Sequence, residues 1–150
     1  MEAIDQTLAT DVAAEIRQLG AVTAAGRAAA YSGTGCMDWV GHVTGSGFSV
    51  QGNMLTEEGV LVAMRDAFLA NSGPLPERLM EALEAGQAAG GDRRGQQAAA
   101  LVVEQDGAAK WSRESVDRVC DLRVDDDPQA VGELRRLFAL WAQRQVERYP

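Results

Sequence analysis

The single histidine of this 150-residue chain, His42, precedes a glycine turn, Gly45-Ser46-Gly47. Beyond the turn, residues 48–54 alternate apolar and polar side chains. Side chains on a strand alternate between its faces, so Ser49, Gln51 and Asn53 share one side and Phe48, Val50 and Met54 the other. Amide and hydroxyl groups supply both donors and acceptors, which suits recognition of a small amide or carboxylate. If residues 38–44 pair back through the turn, His42 comes beside Ser49 or Gln51. The same alternation also describes a solvated sheet face with one satisfied histidine, and spacing leaves both readings open.

A second constellation is Gly90-Gly91-Asp92-Arg93-Arg94-Gly95-Gln96, between a helix end and an apolar run. The glycines permit a sharp turn and set Asp92, Arg94 and Gln96 at a strand mouth, a place where loop residues often bind ligands. A guanidinium can grip a ligand carboxylate with a bidentate fork. It can equally close the turn on Asp92. The candidate pocket is therefore His42, Ser49, Gln51, Asn53, Asp92, Arg94 and Gln96. Cys36 with His42 is a possible thiol and base pair, although free cysteines are usually small buried hydrophobes. Asp125-Asp126-Asp127 has the chemistry to hold a hard cation, yet its place before Pro128 is explained by helix capping. One His and two scattered Cys make a poor zinc set, and there is no P-loop, GxSxG or dinucleotide fingerprint. No metal or cofactor is expected.

These residues need elements to position them. The spacing of Leu8, Val12 and Ile16 predicts a helix over residues 4–16. A hairpin follows, with strands at 20–23 and 28–32 about the turn Ala24-Ala25-Gly26-Arg27. After the polar-faced strand, Thr56 is expected to cap a helix ending near Asn71-Ser72-Gly73. A further helix starts at Pro76, with Leu75, Leu79 and Leu83 on its buried side. Residues 97–105, with the run AAALVV, predict a strand buried on both faces. Asp106-Gly107 signals a hairpin, with 108–111 pairing back. A strand at 119–124 puts Cys120, Leu122 and Val124 on one face. A last helix runs from Pro128 to about Arg148 and buries Val131, Leu134, Phe138 and Trp141. Hairpins outnumber crossovers, so the class is α+β in packed layers.

The length fits a single domain over residues 1–150, with room for a real core. Its 46% apolar and 24% charged residues are those of a globular protein. A net charge of −8 argues against a sequence-independent nucleic-acid binder and against docking on anionic lipid. No apolar run approaches membrane-spanning length, and the acidic N-terminus is no secretory signal, so the expected compartment is the cytoplasm.

The stretches GRAAAYSGTGCMDWVGHVTGSGFSVQGNML, GGDRRGQQAAALVV and LRVDDDPQAVGELRRLFALW together resemble the family called domain of unknown function 1028. The resemblance implies an Ntn-hydrolase-like fold, a layered αββα sandwich, whose wider superfamily mostly hydrolyses amide bonds with the first residue of the mature chain as nucleophile. The family itself has no established substrate, and some relatives add a peptidoglycan-binding domain. Its members normally begin with further strands and a segment like TFSIVA, so the resemblance implies an N-terminally truncated copy here. Met1-Glu2 supplies no Thr, Ser or Cys nucleophile. Three expectations follow: an amide hydrolase only when complete, a non-catalytic relative that binds a small ligand or partner, or a truncated gene product. Sheet edges left open would favour a homo-oligomer or a covering partner chain.

Overall fold

The computed structural model describes residues 2–105 and 118–148. The elements run α1 (Glu2–Ala9), β1 (Gln18–Val22), β2 (Ala28–Ser32), β3 (Gly41–Gly45), β4 (Phe48–Gly52), α2 (Gly59–Ala70), α3 (Leu75–Ala88), β5 (Ala99–Glu104), β6 (Arg118–Val124) and α4 (Ala130–Arg148). The class is α+β, as the sequence predicts. Each strand pairs antiparallel with one partner, giving three two-stranded sheets: β1–β2, β3–β4 and β5–β6.

The first two sheets are hairpins whose tips need glycine. Gly26 and Gly47 have φ of +76° and +82°, the left-handed region where a side chain is disfavoured. The tips also join each other, because Gly47 N donates to the Gly26 carbonyl at 2.8 Å. The β1–β2 hairpin lies on the polar face of β3–β4 so closely that a Cβ on Gly20 would sit 2.5 Å from Gln51 Oε1. Small side chains at 28 and 30, on the same face as Gly20, permit that approach. On the apolar side of β4 lies α2, where the Phe48 and Phe68 rings meet at 5.7 Å between centroids.

The loop between α2 and α3 is held by specific bonds. Asn71 Oδ1 accepts from Gly73 N at 2.6 Å, and the Arg78 guanidinium donates to the Phe68 carbonyl at the end of α2. That cation also sits 3.9 Å from the Phe68 ring centroid, so it caps the helix and covers an aromatic face together. The main core is built where α3 and α4 meet the inner face of β5–β6. It contains Met80, Leu101, Val103, Cys120, Val124, Ala130, Val131, Leu134 and Phe138.

Four expectations are corrected. The predicted helix over 4–16 stops at Ala9, and only a 3-10 turn, Ala14–Ile16, follows. Asp11 ends it by accepting from Ala13 N at 2.9 Å and pairing with Arg17 at 2.7 Å, which leaves Val12 fully exposed. The β5 strand is buried on one face only. Leu101 and Val103 point into the core while Ala100 and Val102 face outward, because among the described residues helices cover just one side of this sheet. Thr56 does not cap α2, which begins at Gly59; its backbone N–H donates instead to the Gly91 carbonyl. On α3 the deeply buried positions are Met80, Ala82 and Gly86, while Leu75 is exposed. On β6, Cys120 and Val124 are buried and Leu122 is half-buried on the same face, as alternation predicts. The expected hairpin at Asp106-Gly107 and the strand at 108–111 lie outside the described residues. Among the described residues no helix is long and apolar enough to cross a membrane.

Leu134 is wholly buried, so Leu134→Ala removes packed methyl groups and leaves a cavity. Urea unfolding should show a loss of about 2–5 kcal/mol. Val12→Ala, on the stretch expected to be helical and found in solvent, should change stability by less than about 0.5 kcal/mol.

Candidate functional site

The β3–β4 register sets His42 directly opposite Gln51 and Thr44 opposite Ser49. The adjacency of His42 and Gln51 expected from the glycine turn is therefore present. Ser49 Oγ donates to Gln51 Oε1 at 2.7 Å. Asn53 lies just past the strand end and reaches across to β1, its Nδ2 3.4 Å from Gln18 Oε1.

Gln18 is the hub of this polar layer. Its Nε2 lies 2.9 Å from Ser32 Oγ and 3.0 Å from each of the carbonyl oxygens of Gly41 and Gly52. Ser32 Oγ in turn lies 2.9 Å from His42 Nδ1. Neither Gln18 nor Ser32 stands out in sequence. The signal that would have found them is hairpin register: a turn centred on Ala25 places residue 18 opposite residue 32, as observed. Cys36 takes no part in this layer. Its Sγ donates to the Arg17 carbonyl at 3.5 Å, while His42 Nδ1 is occupied by Ser32, so no thiol–imidazole pair forms. Burial pushes the other thiol, Cys120, up to about 11.

The second constellation builds a separate place. Met54 adopts a left-handed backbone, φ +55°, that turns its carbonyl to accept from Arg93 N at 2.8 Å. Leu55 bridges antiparallel to Asp92, and Thr56 N donates to Gly91 O at 3.0 Å. Thus the end of QGNML and the start of GGDRRGQ, some forty residues apart in sequence, form one short ladder. Beside it opens a groove of about 830 Å³. Its floor is apolar, from Leu55, Val60, Met64, Leu83 and Val131; its rim carries Asp92, Arg94, Gln96, Gln97, Asp126 and Asp127.

The candidate residues therefore fall into two groups. Asp92, Arg94 and Gln96 line the groove, whereas His42, Ser49, Gln51 and Asn53 belong to the layer between the hairpins. Arg94 is committed to its own turn: its guanidinium binds Asp92 at 2.6 Å, and Asp92 Oδ1 also accepts the Arg94 backbone N–H. Gln96 works structurally as well as lining the rim, since its Oε1 accepts from Val131 N at 2.8 Å in the first turn of α4. Asp127 Oδ1 accepts from Gln129 N at 2.6 Å, and Asp125 pairs with Arg123, which accounts for two of the three clustered aspartates. Among the described residues no group of acidic, His or Cys side chains is placed to hold a metal ion.

A family model described as a family of unknown function, DUF1028, matches residues 1–134, and the chain belongs to that family. The crystal structure of protein SPO2555 from Silicibacter pomeroyi, described under the same family model, is similar at a TM-score of 0.77 and 32% sequence identity. The match covers 92% of this chain and 58% of that one, so this chain spans less than two thirds of the solved relative. No curated protein matches the chain.

The Arg94 guanidinium beside Asp92 holds that carboxyl below its ordinary value of 3.8. A carboxyl lowered by folding adds stability that is complete above the ordinary value and is lost as pH falls through the lowered one. Carboxyl-carbon NMR titration should therefore place the Asp92 midpoint below 3.8, and Arg94→Gln should bring it back up toward that value.

Proposed function

We propose that this chain is an Ntn-hydrolase-like domain that binds a small neutral or cationic amide in the groove beside Leu55 and Asp92. The observation that carries the reading is that the two motifs giving the family resemblance, QGNML and GGDRRGQ, meet at this one cleft. An apolar floor with a few polar groups at the rim, in a volume of about 830 Å³, is the usual make-up of a small-molecule site. The hairpin layer stacked on a second hairpin, with α2 beyond it, supports the layered Ntn-hydrolase-like assignment.

Rim chemistry narrows the ligand. Three carboxylates, Asp92, Asp126 and Asp127, face one guanidinium, and that guanidinium is already engaged by Asp92. A carboxylate ligand would meet net negative charge and would have to displace an ion pair. An amide can use the side-chain amides of Gln87 and Gln97 without that cost. Among the described residues the groove lining has no Ser, Thr, Cys, Lys or His, so its contribution is recognition, not covalent attack. Two free cysteines fit a reducing, cytoplasmic setting.

Calorimetric titration with a panel of N-acetyl amino-acid amides and the matching N-acetyl amino acids tests this. Amides should bind more tightly than the acids by about tenfold or more, ~1.4 kcal/mol. Ala98→Trp, which fills the groove from an exposed position, should abolish the binding. Equal or tighter binding of the acids, or binding that survives Ala98→Trp, would contradict the proposal.

A further inference from the structure

Where β2 meets β3, away from the groove, a hydroxyl and an imidazole stand in hydrogen-bond contact: Ser32 Oγ is 2.9 Å from His42 Nδ1. That is the reach a general base needs to take a proton from a nucleophile. The neighbouring amide sets the direction of the proton. Gln18 Nε2 faces two backbone carbonyls, of Gly41 and Gly52, and its Oε1 faces the Asn53 amide nitrogen. With the amide reversed, its oxygen would be pressed against two carbonyl oxygens, so the nitrogen must point toward them and toward Ser32. Ser32 Oγ is the third acceptor within reach of that two-hydrogen amide, and with His42 in the tautomer that carries its proton on Nε2 the Ser32 hydroxyl donates to Nδ1.

A third group stands alongside. Gln51 lies opposite His42 across the β3–β4 ladder, and its Oε1 is held by Ser49 Oγ. Its Nε2 has no hydrogen-bond partner among the described residues, so an N–H donor on the same face of the sheet is free for a ligand. Such a donor can receive the charge that develops on a carbonyl oxygen under attack. His42 is exposed, so the pair can be reached from solvent.

We propose that Ser32, His42 and Gln51 form an acyl-transfer site for small carboxylic esters, independent of the amide-binding reading of the groove. Ser32 Oγ bonds to the acyl carbon as its proton passes to His42 Nδ1. The carbonyl electron pair moves onto oxygen, which accepts from Gln51 Nε2. Collapse breaks the ester C–O bond, and the alcohol leaves with the proton from His42. Water then repeats the sequence on the acyl-serine: its proton goes to His42 and on to Ser32 Oγ, and a carboxylic acid is released. Esters fit better than amides because no carboxylate among the described residues bonds His42. An imidazolium formed without that support is poorly stabilised, and an ester, which expels an alkoxide far less basic than an amide's nitrogen anion, depends on it less.

The full chain is treated with a fluorophosphonate probe and the labelled residue is located by peptide mass spectrometry. Turnover of p-nitrophenyl acetate is followed in parallel. The label should fall on Ser32, Ser32→Ala should abolish labelling and turnover, and His42→Gln should slow both by about 100-fold or more. Labelling of the unmodified chain on any other serine, or its failure to label, overturns the proposal without reference to whether a variant folds. Unchanged rates in His42→Gln overturn the role of the base.

Discussion

One side-chain amide ties the N-terminal half together. Gln18 begins β1, yet it bonds to Ser32 on β2, to the carbonyls of Gly41 on β3 and Gly52 on β4, and to Asn53 beyond. Two isolated two-stranded hairpins would be marginal in water, since each has too little surface to bury. Stacked and pinned at one end by Gln18, and at the other by the Gly47-to-Gly26 backbone bond, they become a double layer. The requirement explains other residues. Gly20 has no side chain because Gln51 and Ser49 press against it, and 28 and 30, on the same face, are alanines because the layers approach closely.

That arrangement also decides where chemistry can occur. The polar face of β4 is not the wall of the groove; it packs against the β1–β2 hairpin, with His42 and Gln51 still reached by solvent. The groove forms elsewhere, where the left-handed turn at Met54 carries the chain from β4 toward the GGDRRGQ loop. Met54–Leu55 is the hinge of the whole design. Upstream of it the polar groups bond across the hairpins, and downstream the backbone pairs with Gly91–Arg93 to frame the cleft.

Much of this was legible in the residues. Alternation and glycine turns gave the β3–β4 hairpin and the His42–Gln51 pair, because register follows from turn position and period. Apolar spacing gave the buried side of α4. Other features depended on tertiary partners that no local pattern reports. Val12 continues a helical spacing, but Asp11 turns the chain first. The run AAALVV looks buried on both faces, but among the described residues only one face of the sheet is covered and Val102 is exposed. Gln96 reads as a ligand-binding amide, and only the fold shows it reaching the first turn of α4, thirty-five positions on. Hairpin register places Gln18 opposite Ser32, but its bonds to Gly41, Gly52 and Asn53, up to thirty-five residues away, follow from no local pattern.

The interlock is tested most directly by native-state hydrogen exchange on Gln18→Ala, with the Gly47 amide as reporter. That N–H bonds across the two hairpins at the end opposite Gln18. If Gln18 holds the layers together, its removal takes away the bonds that join Ser32, Gly41, Gly52 and Asn53 and costs about 1–3 kcal/mol, and exchange at Gly47 accelerates together with the amides of both hairpins. If Gly47 keeps wild-type protection while only the amides next to residue 18 exchange faster, the hairpins are held by something else and the account is wrong.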